Sequence, residues 1–295
     1  MSEQRLRIGG VPEHFNLPWR LAIESGAFAA IGAEVTWTDF PGGTGALVEA
    51  LANDELDLAT VLTEGITTAI CNGNPSLVHS VWVNSPLAWG VHVPAASDLN
   101  SLADLAGHRF AISRYGSGSE LMAYVLADKQ GWTLAPEQFV VVGGLAGAIK
   151  ALPAGDAEIF LWERFMTQPH VDDGTFRRVD DTPTPWPSFV TAVTTHAIAA
   201  HRSLIDRVTA VAAATAADLA ASPTAAARIA ERYGLEVGEA ETWLGTVSWA
   251  SASRPDAAIL NDVVETMVRL GRIEKERPGD DLLIEQIVDP SSRRL

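Results

Sequence analysis

The stretch Phe40-Pro41-Gly42-Gly43-Thr44-Gly45-Ala46-Leu47-Val48-Glu49-Ala50-Leu51 runs on through Glu55-Leu56-Asp57-Leu58, and it has an echo further along the chain. A shift of 101 positions lays Gly42-Gly43 on Gly143-Gly144, Val48 on Ile149 and Ala50-Leu51 on Ala151-Leu152. The same shift lays Glu55 on Asp156, Asp57 on Glu158 and Leu58 on Ile159. Each copy reads as strand, Gly-Gly turn, helix, acidic turn, strand. Upstream, each copy has a strand, a turn, a helix ending in glycine (Gly26, Gly131) and a further strand. The period is too long for a solenoid, whose repeats run to roughly 20–50 residues. Two similar α/β lobes of about 90 residues each are expected, and two lobes imply a cleft.

Working outward, short β-branched runs alternate with helical patterns through the first two thirds of the chain. Strands are expected at Leu6–Val11, Glu34–Phe40, Leu56–Leu62, Leu77–Val83, Trp89–Pro94, Arg109–Ser113, Phe139–Val142 and Glu158–Trp162. Helices are expected at Pro18–Ala30, Thr44–Ala52, Glu64–Cys71, Ser117–Gln130 and Ala146–Leu152. This alternation predicts mixed, mostly parallel sheets covered by helices. From Ser203 onward long Ala/Leu/Val helices take over. Ser253 with Pro255-Asp256 marks the start of a last helix, Pro255–Leu270, which Gly271 ends.

Composition removes whole classes of function. The 37 Asp+Glu outnumber the 21 Lys+Arg for a formal charge of −16. Nucleic acid and anionic membranes demand a basic footprint, so neither is an expected partner. With 47% hydrophobic residues there is ample core material. The single cysteine, Cys71, excludes a disulfide framework and a Cys-rich metal site. No export leader or membrane-spanning stretch is read in the sequence as given, and a cytoplasmic location is the expectation.

Ligands of open α/β sheets bind beyond the carboxyl ends of the strands, so the residues after each strand are the candidates. After the first come His14, Phe15 and Asn16, and after the second Gly42, Gly43, Thr44 and Gly45. After the third come Thr63 and Glu64, and after the fourth Ser85. In the second lobe the equivalents are Arg114, Ser117, Gly118 and Ser119, then Trp162 and Glu163. The glycine turn either exposes helix amides to an anion or carbonyl, or is simply a tight turn. The Arg114–Ser119 loop joins a cation, hydroxyls and glycines ahead of a helix, more than capping alone requires. Histidine 14 is read either as a cleft group or as a structurally bonded loop residue, and Glu163 as a ligand acceptor or the partner of Arg164. No Gly-x-Ser-x-Gly elbow, P-loop lysine, GxGxxG or His-Glu-x-x-His pattern is present, so no metal and no cofactor are expected.

The segments Arg7-Ile8-Gly9-Gly10-Val11-Pro12-Glu13-His14-Phe15, Phe40–Leu47, Leu56-Asp57-Leu58-Ala59 and Leu62-Thr63-Glu64-Gly65 together resemble the type 2 periplasmic-binding-protein fold. Within it, the resemblance is to the branch typified by a Candida albicans cytosolic-type binding protein. That branch lies near the sulfonate/nitrate/taurine solute-binding proteins and the thiamine-pyrimidine-precursor synthases. The resemblance implies two lobes joined by crossover strands, near Val83–Val91 and Pro185–Val190, with residues 1–87 plus 190–295 in the first lobe and 88–189 in the second. It implies a helical C-terminal segment packed on the first lobe. The iron-binding cysteines and active-site lysine of the pyrimidine synthases are not matched, since no lysine precedes Lys129.

The expected function is binding of a small polar or aromatic metabolite, with an anionic or carbonyl group, in a cleft closed by hinge motion. The alternative is an enzyme on the same scaffold, a lyase, dehydratase or hydrolase, with His14 or Glu64 as general base. A permease of the ABC type is a partner only for an exported protein, and the Ala-rich helices leave a homodimer open.

Overall fold

The structure is a computed structural model and describes residues 4–252 and 257–273. In chain order, β1 (Gln4–Gly10) leads through a 3-10 turn to α1 (Leu17–Glu24), α2 (Ala27–Ala30), β2 (Ala33–Asp39), α3 (Gly43–Ala52), β3 (Leu58–Leu62), α4 (Thr63–Cys71) and β4 (Ser76–Val83). Then follow β5 (Ala88–Pro94), β6 (Phe110–Ile112), α5 (Gly118–Gln130), β7 (Phe139–Val141), α6 (Leu145–Ala154), β8 (Ile159–Glu163), α7 (Arg164–Asp172) and β9 (Phe176–Pro183). The chain ends in β10 (Phe189–Thr194), α8 (Thr195–Ala221), α9 (Ala225–Tyr233), α10 (Val237–Leu244) and α11 (Ala257–Arg269).

These elements fall into two compact units, Met1–Ser85 with Trp186–Leu295, and Pro86–Pro185. Each unit holds one five-stranded mixed sheet. The first has the order β2-β1-β3-β10-β4, the second β7-β6-β8-β5-β9. In the first, β1 runs parallel to β2 and β3, while β10 runs antiparallel to β3 and β4. In the second, β6 is parallel to β7 and β8, and β5 antiparallel to β8 and β9. The two orders coincide once β10 is matched to β5. In each unit the strand that enters from the other unit lies beside the strand that leaves, and it runs against its neighbours.

The repeat extends to a charged clasp. Arg7 donates from its backbone N–H and from Nε and Nη2 to the Asp57 carboxylate, at 2.7, 3.2 and 2.7 Å, and from Nη1 to the Asp54 carbonyl. Arg109 does the same with Glu158, through its N–H, Nε and Nη2, and reaches the Gly155 carbonyl. Each clasp ties the central parallel strand, at mid-β1 or at the start of β6, to the turn that launches its neighbour (β3 or β8).

The cores follow the pattern of buried aliphatics. Leu47, Leu51, Leu56, Val61, Ile66, Val78 and Val190 pack between α3, α4 and the first sheet. Ala148, Leu152, Phe160 and Phe176 form the equivalent cluster in the second unit. Each fully buried large side chain contributes about 1.5–3 kcal/mol. Helix α8 packs on α1, and α11 on α4, so the C-terminal helices belong to the first unit. Residues 248–250 form a further pairing along β4, with Val83 bridged to Trp249 and the Asn84 N–H donating to the Ser248 carbonyl. This covers an edge that would otherwise be free to pair with another chain.

Several elements depart from expectation. The helix expected over Pro18–Ala30 breaks at Gly26, whose φ of +73° ends α1 and lets α2 start in a new direction. Strand β9 was hidden by Arg177, Arg178, Asp180 and Asp181, the charges of an edge strand. A short helical stretch precedes the long helix expected from Ser203: the Thr194 hydroxyl caps α8 at Thr195 by accepting the Ala197 N–H at 3.1 Å, and α8 breaks at His201 (φ −135°, ψ 25°) before its long second part begins. The expected start signal of the last helix, Ser253 to Asp256, lies outside the described residues, as does the tail beyond Ile273.

Candidate functional site

In the first unit the loop after β1 coils into a 3-10 turn, His14–Asn16, whose three side chains are all buried. Its backbone is held from two distant places. The indole N–H groups of Trp82 and Trp249 both donate to the Phe15 carbonyl, at 3.1 and 3.0 Å. The His14 ring stacks on Trp243 with centroids 4.1 Å apart and meets Phe15 edge-on at 4.8 Å. Neither ring nitrogen has a hydrogen-bond partner among the described residues. Burial alone pushes the imidazole down to about 3, so His14 is neutral at any ordinary pH. Asn16 donates from Nδ2 to the Val11 carbonyl at 2.9 Å, and its Oδ1 is buried without a donor.

Next along the sheet, α3 and α4 begin at the carboxyl ends of β2 and β3. Gly42 and Gly43 make the turn, with Gly43 at φ +70°. A Cβ at Gly65 would collide with the Thr44 methyl, so the two helix N-termini lie against each other. First-turn N–H groups have no carbonyl one turn back and carry the positive end of the helix dipole. Gly45 lies in the first turn of α3. Thr63, at the head of α4, donates its hydroxyl to the Pro187 carbonyl and its N–H to Ser188. Glu64 follows and is 1% exposed. Its Oε2 accepts the Trp186 indole N–H at 2.8 Å, while Oε1 has no partner among the described residues. Burial raises this carboxyl to about 7. Ser85 closes the group: its carbonyl accepts both the N–H and the hydroxyl of Ser188, and its Oγ accepts the Ser248 N–H. Phe15 and Phe189 rings, 4.9 Å apart, join the β1 turn to this end of β10.

In the second unit the loop after β6 is internally knotted. Ser117 caps α5 through the Glu120 N–H, and Glu120 reaches back to the Gly116 N–H at 2.6 Å. Ser119 accepts the Ser113 N–H at 2.9 Å and lies 3.0 Å from the Ser117 hydroxyl. Gly118 is the first residue of the helix, and Arg114 is half-buried in the loop ahead of it. At the end of β8, Glu163 caps α7 by accepting the Met166 N–H at 2.7 Å. The expected alternative partner, Arg164, pairs with Asp181 at 2.6 Å instead. Trp162 stacks on Phe160 at 5.3 Å and meets Trp89 edge-on.

The structure thus gathers His14, Phe15, Thr63, Glu64 and Ser85 with the Gly42–Gly45 turn at one end of the first sheet. It keeps the Arg114–Ser119 loop and the Trp162–Glu163 pair in the second unit. Trp82, Trp186, Ser188, Trp243 and Trp249 complete the first group. Trp243 and Trp249 carry no local signal in the sequence, since their partners lie some 230 positions upstream. Among the described residues no group of three His, Cys, Asp or Glu could hold a metal ion, and no helix is long and apolar enough to cross a membrane.

The Candida albicans CA3427 gene product, which defines a family with the generic periplasmic-binding-protein fold, superimposes with a TM-score of 0.89. It is 25% identical, over 97% of this chain and 96% of that one. The chain has the periplasmic-binding-protein fold. Residues 89–182 also match the model of the Ca3427-like binding proteins. Other binding proteins share the fold at lower identity. The alkanesulfonate-binding protein SsuA from Xanthomonas axonopodis pv. citri, solved with MOPS, is 21% identical over 98% of this chain and 99% of that one, with a TM-score of 0.80. The nitrate-binding protein NrtA from Synechocystis is 12% identical over 96% and 86%, with a TM-score of 0.73. No curated protein sequence matches the chain. Within the binding-protein fold, the resemblance is to the Ca3427-like branch, whose model falls entirely within the second unit.

Proposed function

We propose that this protein binds a small polar or aromatic metabolite through an anionic or carbonyl group, between two lobes that close on it. The supporting observation is the Glu64 carboxyl at the abutting N-termini of α3 and α4, buried with one oxygen engaged and the other without a partner. Trp186 fills Oε2 as an acceptor, so a proton held by this raised carboxyl resides on Oε1. An acidic O–H beside helix amides is a donor set for an oxyanion or carbonyl oxygen. Aromatic rings supply contact area for the rest of the ligand. The sulfonate- and nitrate-binding relatives of the fold accord with an anionic group.

The test is a thermal-shift panel of alkanesulfonates, carboxylates and nitrate, followed by titration calorimetry and small-angle scattering on the hits. A hit is expected to raise the melting temperature, lose at least tenfold in affinity in Glu64→Ala, and reduce the radius of gyration. A hit indifferent to Glu64→Ala overturns the assignment of Glu64, and one that leaves the radius of gyration unchanged overturns closure.

A carboxyl that titrates near 7 is also suited to general acid–base work, so a second reading keeps the enzyme with Glu64 as base. His14, held neutral to about pH 3, is a poor base by the same reasoning. Conversion of a bound hit to product by wild type but not by Glu64→Gln, followed by mass spectrometry, separates enzyme from binder.

A further inference from the structure

The chain returns to the first unit through Pro183-Thr184-Pro185-Trp186-Pro187-Ser188, and Trp186 is the first residue of that return. Prolines donate no N–H and favour an extended backbone at the residues before them. Side chains and carbonyls must therefore anchor this stretch, and the head of α4 holds three consecutive residues of it. The Trp186 indole donates to Glu64 Oε2 at 2.8 Å. The Pro187 carbonyl accepts the Thr63 hydroxyl, and the Ser188 carbonyl accepts the Thr63 N–H at 3.1 Å. From the other side Ser188 is tied twice to the carbonyl of Ser85, the last residue before the chain leaves the first unit.

Of these bonds only the first includes a titratable group. Trp186 is 3% exposed and Glu64 1%, so water does not screen the contact. A hydrogen bond to a carboxylate is roughly twice as strong as one between neutral groups, so its strength follows the charge on Glu64. Titratable groups of the elements packed on α4 do not act on that carboxyl: neither Glu49 of α3, His79 of β4, nor Asp262, Glu265 and Arg269 of α11. Cys71, at the far end of α4 itself, does not either. Burial dominates, and the carboxyl's own N–H and the indole are the remaining influences.

We propose that Trp186 is the positioning residue of the candidate site: its indole N–H fixes the Glu64 carboxyl and links the charge on that carboxyl to the returning crossover. The proposal rests on the binding reading for the role of Glu64, but its test needs no ligand.

The full chain, labelled with 15N at tryptophan and 13C at the glutamate carboxyls, is titrated by NMR from about pH 5 to pH 9. The two signals are assigned by their loss in Trp186→Phe and Glu64→Gln. In the wild type the indole proton is expected to move downfield as pH rises, with the midpoint of Glu64, near 7. Glu64→Gln keeps an acceptor for the indole and removes the charge, so the signal persists and its titration disappears. In Trp186→Phe the carboxylate loses a donor, and its midpoint rises by about one pH unit. Ser188→Ala loosens the same crossover without touching Glu64 and leaves the midpoint where it was. An indole signal that ignores pH in the wild type, or titrates equally in Glu64→Gln, would overturn the proposal. So would a Glu64 midpoint unmoved in folded Trp186→Phe, or moved as far by Ser188→Ala. If Trp186→Phe does not fold, the comparison of wild type with Glu64→Gln decides alone. The two readings fail separately: the anion panel can give no hit while the indole follows Glu64, and a hit lost in Glu64→Ala stands even where the indole does not.

Discussion

Glu64 and His14 are both fully buried near the same end of the first sheet, and burial moves them in opposite directions. A carboxyl raised from 4.5 to about 7 binds its proton more tightly in the folded state than in the unfolded one. The stability this confers is complete below pH 4.5 and is lost as pH rises towards 7. At about 1.4 kcal/mol per pKa unit, Glu64→Gln should be more stable than wild type by roughly 3 kcal/mol at pH 8 and no different at pH 4. Urea melts at the two pH values check this, and equal differences at both would refute it. His14 works the other way. Its ring, lowered from 6.5 to about 3, stays neutral when folded while the unfolded chain takes up a proton, so stability falls as pH drops from 6.5 towards 3. The variant His14→Phe keeps a ring against Trp243 and removes the titration. It should flatten that acid limb by on the order of 3–5 kcal/mol at pH 3, read from the pH dependence of urea unfolding. From sequence, His14 was visible only as a loop histidine after a strand. Its ring contacts with Trp243 and Tyr233 come from the far end of the chain, beyond the reach of any local pattern.

At the scale of elements, the 101-residue echo captured the part of each unit from glycine turn to acidic turn, and with it the fold. It did not reach the arginines that complete the clasps. Arg7 precedes Gly42 by 35 residues and Arg109 precedes Gly143 by 34, so the two arginines fall one position out of register with the shift. Strand β10 escaped for a different reason. Phe189-Val190-Thr191-Ala192-Val193-Thr194 follows two prolines and runs straight into α8, so only its start is read from sequence, as the end of the Pro185–Val190 crossover. The clasp itself is testable. Asp57, just ahead of β3, accepts three hydrogen bonds from Arg7 in the middle of β1, and its side chain is 12% exposed. Hydrogen bonds to a charged group contribute about 1.5–3 kcal/mol when buried, less where solvent reaches the arginine. Asp57→Asn is therefore expected to cost about 1–2 kcal/mol. In a double-mutant cycle with Arg7→Met, the two changes should be strongly non-additive. Additive losses in urea unfolding would show that the clasp contributes no coupling.

For the whole molecule, the duplicated topology bears on which parts of the chain depend on each other for folding. The second unit is one uninterrupted stretch, Pro86–Pro185, with its own sheet and core. Its two ends are neighbours: Ala88 pairs with Pro183, and Leu87 and Thr184 exchange hydrogen bonds, N–H to hydroxyl at 3.0 Å and N–H to carbonyl at 3.1 Å. The first unit is split in sequence, yet its cut ends also meet, since Ser188 donates both its N–H and its hydroxyl to the Ser85 carbonyl. Closing so short a gap costs little chain entropy. Two constructions follow, residues 86–185 alone, and a chain in which a short Gly-Ser bridge joins Ser85 to Trp186. Both are expected to unfold cooperatively in urea and to give dispersed amide spectra. The bridged chain should also keep the near-ultraviolet signature of the Trp82, Trp243 and Trp249 cluster around His14 and Phe15. A broad, uncooperative transition in residues 86–185 would mean that the second core is completed by the rest of the chain, and the two-unit division would then describe geometry without describing folding.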